Sequence, residues 1–122
     1  MGIIHRRHPH EKNWLWEAVE IQKYTSNQAT KQVLIGHAEG AHNFEMRYFT
    51  IPPRGFSSLD QHAHDHGVMV MSGRARVMLG ENFEIVDMGD VIYIPSMEWH
   101  QFENLGDEPF SFLCIIPPKP LD

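Results

Sequence analysis

Histidines at alternate positions are the first feature of this sequence that could do chemistry. The run Asp60-Gln61-His62-Ala63-His64-Asp65-His66 places one carboxylate and three imidazoles on every second residue. In an extended chain alternate residues face one way, and each step of two advances about 6.6 Å. Metal–nitrogen bonds are only about 2.0–2.2 Å long. Two such residues can close on one ion, but four in a straight line cannot. A bend must take one out of the set and bring His66 back, and Asp65-His66-Gly67 has the residue types of a turn that opens into a strand. A further ligand must then come from a distant strand. His100, just after Ile94-Pro95-Ser96-Met97-Glu98-Trp99, is the candidate. Burying these imidazoles among apolar residues without a shared partner would be costly. His5, His8, His10, His37 and His42 read as surface residues, and His64 as pointing to a loop or pocket mouth.

The elements that must position these residues read as strands. Apolar residues alternate with a period of two almost throughout, and no helical period is sustained. Turn signals recur at Gly40, Pro52-Pro53-Arg54-Gly55, Gly73, Gly80-Glu81-Asn82, Gly89-Asp90 and Gly106-Asp107-Glu108-Pro109. Such spacing predicts an all-β sandwich or barrel. The expected strands are Trp14–Glu20, Gln32–Ile35, Phe44–Ile51, Gly67–Met71, Ala75–Leu79, Phe83–Val86, Val91–Ile94, Gln101–Glu103 and Phe110–Ile116. Pro117-Pro118-Lys119-Pro120 cannot continue a central strand. One domain is expected: residues 31–122 as the barrel, and residues 1–30 as an arm or strand packed on it or on a partner subunit.

Strand parity extends the reading. Counting from His66, Val68 and Val70 face inward, while Met69 and Met71 face outward. Both faces are apolar, so the outer one needs cover. The Trp14-Leu15-Trp16 segment or a second subunit could supply it, which argues for a homodimer. Phe102 shares the inward face with His100, and Phe112 shares a face with Cys114. Arg47, inside an otherwise strand-like run, either faces the pocket and binds an anionic substrate or sits at the surface.

Composition removes several classes of function. The chain has 122 residues, a formal charge of −6 and a single cysteine. It has no basic stripe for phosphate backbones, so nucleic acid is not an expected partner. No apolar run reaches the roughly 20 residues that cross a bilayer, and no leader pattern stands at the start. A cytoplasmic protein without membrane contact is expected, and the lone cysteine fits a reducing compartment. His5-Arg6-Arg7-His8 reads as a solvated arm.

These residues resemble the two motifs of the cupin family. Gly73 closes the first motif; counting back from it puts His66, His62 and Asp60 in its ligand positions. Gly89, Pro95, His100 and Asn104 fit the second, with Met97 in place of its inner glycine. The chain is most similar to small, single-domain, four-histidine, manganese-type cupins. The resemblance implies a double-stranded β-helix (a jelly-roll barrel), usually dimeric. It also implies one divalent transition-metal ion held by Asp60, His62, His66 and His100, and a pocket lined by Phe112 and Cys114 beside it. Manganese or iron is the expected ion; nickel, copper or zinc could accompany purification. Asp60 departs from the family's histidine: it either binds the metal, lowering its net charge, or stands behind it as a proton acceptor. The expected pocket comprises Arg47, Val68, Phe102, Phe112 and Cys114. The expected function is a metal-dependent enzyme with oxygenase-like chemistry on a small organic substrate. A metal-dependent isomerase or lyase, or a cupin that binds or senses a small ligand without turnover, is the alternative.

Overall fold

The computed structural model describes residues 1–24 and 28–119. Nine strands run through them: β1 Gln22–Lys23, β2 Thr30–Ile35, β3 Glu45–Ile51, β4 His66–Ser72, β5 Arg74–Leu79, β6 Asn82–Asp87, β7 Val91–Ile94, β8 His100–Asn104 and β9 Phe110–Ile116. They form one sheet in the order β1-β2-β3-β9-β4-β7 and a second in the order β6-β5-β8, with antiparallel pairing throughout. β9, last in sequence, lies between β3 and β4, so the chain closes through its C-terminal strand. This is the all-β jelly-roll architecture that the alternation predicts.

The core forms where the inward residues of both sheets meet. Val68 and Val70 are 3% and 0% exposed, whereas Met69 between them is 44% exposed, as strand parity requires. Phe112 stacks on Phe49 with centroids 5.1 Å apart and on Phe102 at 4.5 Å, joining the two sheets. Such pairs add about 0.5–1.5 kcal/mol each beyond the area they bury. At the turn into β5, Gly73 has φ +82°, and a Cβ there would meet the Pro109 carbonyl oxygen at 2.8 Å. Asn104 is 1% exposed; its side chain donates to the carbonyls of Ile51 and Glu108 and accepts from Gly106 N–H.

Trp14–Glu20 is not a strand. Its ladder is reduced to one isolated bridge, Arg7 with Trp16, and Ala18 leaves the extended region with φ 59°. The two indoles recur at spacing two because both pack on Tyr48, at centroid distances of 6.4 and 5.1 Å. Arg7 is exposed, as expected, and lies 4.4 Å over the Trp14 ring. This cover rests on Tyr48 of β3 and on Gln32 of β2, whose side-chain amide donates to the Trp14 carbonyl. It does not enclose β4 and β7, where Met69, Val91 and Tyr93 stay exposed. The two-residue β1, absent from the expected strands, pairs with β2 at the sheet edge.

The substitution in the second motif has a visible cost. Met97 adopts φ 68°, a left-handed conformation that suits glycine. Its side chain is 53% exposed, so little burial offsets the strain. Met97→Gly should raise stability by about 0.5–1 kcal/mol, the left-handed penalty less the added freedom of the unfolded chain. The denaturant midpoint reads this, and an unchanged or lower midpoint contradicts it.

Candidate metal centre

Backbone pairing brings the distant histidines to one place. His66 opens β4 opposite Ile94 of β7, and His100 opens β8 opposite Leu79 of β5. The segment before β4 then runs antiparallel to β8. Ser57 N–H donates to the Phe102 carbonyl, and Asp60 and His100 exchange both backbone hydrogen bonds at 3.1 and 3.0 Å. Met97 N–H donates to the His62 carbonyl at 2.6 Å, and Ser96 Oγ to the Ala63 carbonyl. The β7–β8 loop thus clamps the histidine run. As a result, one ring nitrogen from each of His62, His66 and His100 lies within 4.8 Å of the other two.

Hydrogen bonds leave these imidazoles with free lone pairs. Nδ1 of His100 donates to the Glu98 carbonyl at 3.0 Å, so its Nε2 is the unprotonated nitrogen in the neutral ring. Nδ1 of His66 lies 3.3 Å from Cys114 Sγ, while its Nε2 is buried with no hydrogen-bond partner. A buried polar atom left this way is costly unless something else occupies the site. Burial, reinforced by neighbouring His100, lowers the His66 pKa to about 3. Burial also lowers that of His62, against the opposing pull of Asp60. Neutral imidazole is the metal-binding form, and the orphaned Nε2 beside two others fits a divalent ion.

Asp60 adjoins the three histidines. Its Oδ2 is 3.7 Å from His62 Nε2 and accepts hydrogen bonds from Ser58 Oγ and Tyr24 OH. The two hydroxyls fix the carboxylate beside the imidazoles, outside the group of three converging nitrogens. His64 lies in the bend before β4, as expected, and stacks on His62 with ring centroids 4.9 Å apart; its Nε2 is also buried without a partner.

The site opens into a cavity of about 240 Å³ between the sheets. Val68, Phe102, Phe112 and Cys114 line it, as does Arg47, and so do Tyr24, Lys31, Ser58 and Lys119, which sequence reasoning did not single out. Arg47 is 6% exposed. Its Nη2 donates to Cys114 Sγ at 3.4 Å, and its Nε has no partner. Burial raises the pKa of the Cys114 thiol, chiefly through desolvation, against the opposing Arg47 charge.

The depressed His66 pKa has a consequence for stability. Between its unfolded value of 6.5 and about 3, the unfolded chain binds a proton that the folded chain refuses. The metal-free fold should therefore lose stability as pH falls through that window, by up to about 1.4 kcal/mol per pH unit from this residue alone. Urea midpoints measured between pH 7 and 4 on wild type and His66→Gln check this, and equal slopes for the two proteins contradict it.

Comparison with known proteins agrees with this architecture. The cupin domain model matches residues 47–116, more than half of the chain. The chain is 34% identical over 114 residues to 1-methylthio-D-xylulose 5-phosphate methylsulfurylase of Rhodospirillum rubrum, covering 88% of this chain and 72% of that protein. A cupin-2 domain structure from the same organism superposes with a TM-score of 0.81 at 33% identity, covering 93% of this chain and 79% of the other. A polyketide cyclase from Streptomyces resistomycificus superposes with a TM-score of 0.74 at 25% identity, over 84% and 75% of the respective chains. The two sequence motifs, the facing sheets and the extent of these matches lead to one assignment: the chain belongs to the cupin family.

Proposed function

We propose that this cupin is a metal-dependent enzyme acting on a small organic molecule bound between its sheets. His62, His66 and His100 hold one divalent ion, manganese or iron. The observation that carries this is the buried, unpartnered Nε2 of His66, which lies among converging imidazoles at the floor of a cavity. Such an ion supplies Lewis-acid polarisation of a substrate oxygen, or activation of dioxygen. Asp60 serves as proton acceptor: Ser58 and Tyr24 hold its carboxylate in place and can pass a proton onward.

Val68, Ile94, Phe102 and Phe112 make one part of the cavity apolar, which suits oxygenase-type chemistry. The polar part favours the second reading, a Lewis-acid isomerase or lyase. Lys31, Arg47, Asp60 and Lys119 suit a polar substrate that undergoes proton transfer. The relatives named as a methylsulfurylase of a sugar phosphate and as a polyketide cyclase lend support to it. Purification without oxygen, metal analysis and oxygen uptake separate the readings. Turnover that is lost on chelation, restored by metal and independent of oxygen supports the second. Reversible ligand binding with no product supports a binding protein instead.

His100→Ala should remove stoichiometric metal while far-UV circular dichroism keeps its β-sheet signature. Affinity should fall by more than the roughly 10–100-fold that loss of a partner supporting a ligand costs. Full metal content in this variant contradicts the ligand assignment.

A further inference from the structure

A buried cation faces the cavity without an anion to balance it. Arg47 forms no ion pair among the described residues. Its position is nonetheless fixed. The guanidinium carbon lies 5.0 Å over the Phe49 ring, and the residue is paired across strands with Cys114. Its Nε points at no acceptor. A planar fork held in place with an open donor is a preformed receptor for an oxyanion.

Two more cations line the same cavity. Lys31 stands across the β2–β3 pair from Phe49, and Lys119 follows β9. Burial and the charges of Lys119 and Arg47 lower the Lys31 pKa, with Glu45 opposing them. Glu45 itself accepts from Lys119 N–H at 2.9 Å and lies 4.0 Å from His37 Nε2. Among the described lining residues Asp60 is the one carboxylate, and it is held on the histidine side by Ser58 and Tyr24. Arg47 is buried, Lys31 half-buried and Lys119 exposed; against one carboxylate they make a local excess of positive charge in a chain whose net charge is −6.

We propose that Arg47, Lys31 and Lys119 form a subsite for the phosphate monoester end of a small phosphorylated substrate, whose other end faces His66. This rests on the reading of the cavity as a substrate pocket beside a metal. Cys114 sets the distance between the two ends: its sulfur lies 3.4 Å from Arg47 Nη2 and 3.3 Å from His66 Nδ1. A molecule anchored at Arg47 therefore presents its neighbouring carbons and oxygens to the imidazoles. Phosphate is favoured over carboxylate because a dianion balances the excess of charge, whereas a monoanion leaves part of it unpaired.

Calorimetric titration of the full chain with inorganic phosphate tests this, on protein as purified and again after chelation. One saturable site is expected in both. Arg47→Gln should weaken it at least tenfold, and the Lys31→Met/Lys119→Met double variant at least fivefold. Acetate should bind at least tenfold more weakly than phosphate. Absence of saturable binding overturns the proposal. So does phosphate binding that vanishes on chelation, that both variants leave intact, or that acetate equals. If Arg47→Gln does not fold, the double lysine variant decides. Manganese uptake measured in parallel separates the two readings. Uptake without phosphate binding removes the subsite alone, and phosphate binding without uptake removes the metal alone.

Discussion

Asp60 and His100 are register partners, and the chemistry of this protein depends on that pairing. The two residues exchange backbone hydrogen bonds across 40 positions of sequence, closing the histidine run onto the start of β8. Without it, His62 and His100 would have no reason to approach. With it, the imidazoles of the run converge with one from the far sheet. The energetic consequence is an unsatisfied nitrogen at His66 in a place that water from bulk reaches poorly. Native proteins rarely leave such an atom without a partner.

The elements around the pairing serve to hold it still. Met97 and Ser96 donate to the carbonyls of His62 and Ala63, tying the second motif's loop to the first motif's run. The left-handed Met97 sits within that clamp, so backbone strain is located at the site and not elsewhere in the second motif. Phe49, Phe102 and Phe112 stack behind the cavity and join the sheets that carry the two motifs. Arg47 rests on Phe49 of this stack, 5.0 Å over its ring. Core packing and site geometry therefore share side chains. A change in Phe49 would disturb both.

Much of this was legible in the sequence because it depends on parity and spacing. The period of two located eight of the nine strands to within a few residues, and counting from His66 placed Val68 and Val70 inside. The proximity of His62, His66 and His100 followed from ligand spacing and motif resemblance. What parity could not show was which strands become neighbours. Lys31 faces the pocket because β2 lies beside β3, and Lys119 reaches it from the segment after β9, whose backbone is tied to Glu45 of β3. Tyr24 reaches Asp60 from outside any expected strand. Trp14–Glu20 failed for a related reason. Indoles two residues apart pack on a common Tyr48 whether or not a ladder forms, so alternation there recorded packing alone.

The central claim is that three imidazoles share one cation. Anomalous diffraction at the manganese edge, from crystals of protein loaded with manganese(II), tests it most directly. The account predicts a single peak within bonding distance of a ring nitrogen of each of His62, His66 and His100. A peak at any other place, or none beside His66 at full manganese loading, would contradict it.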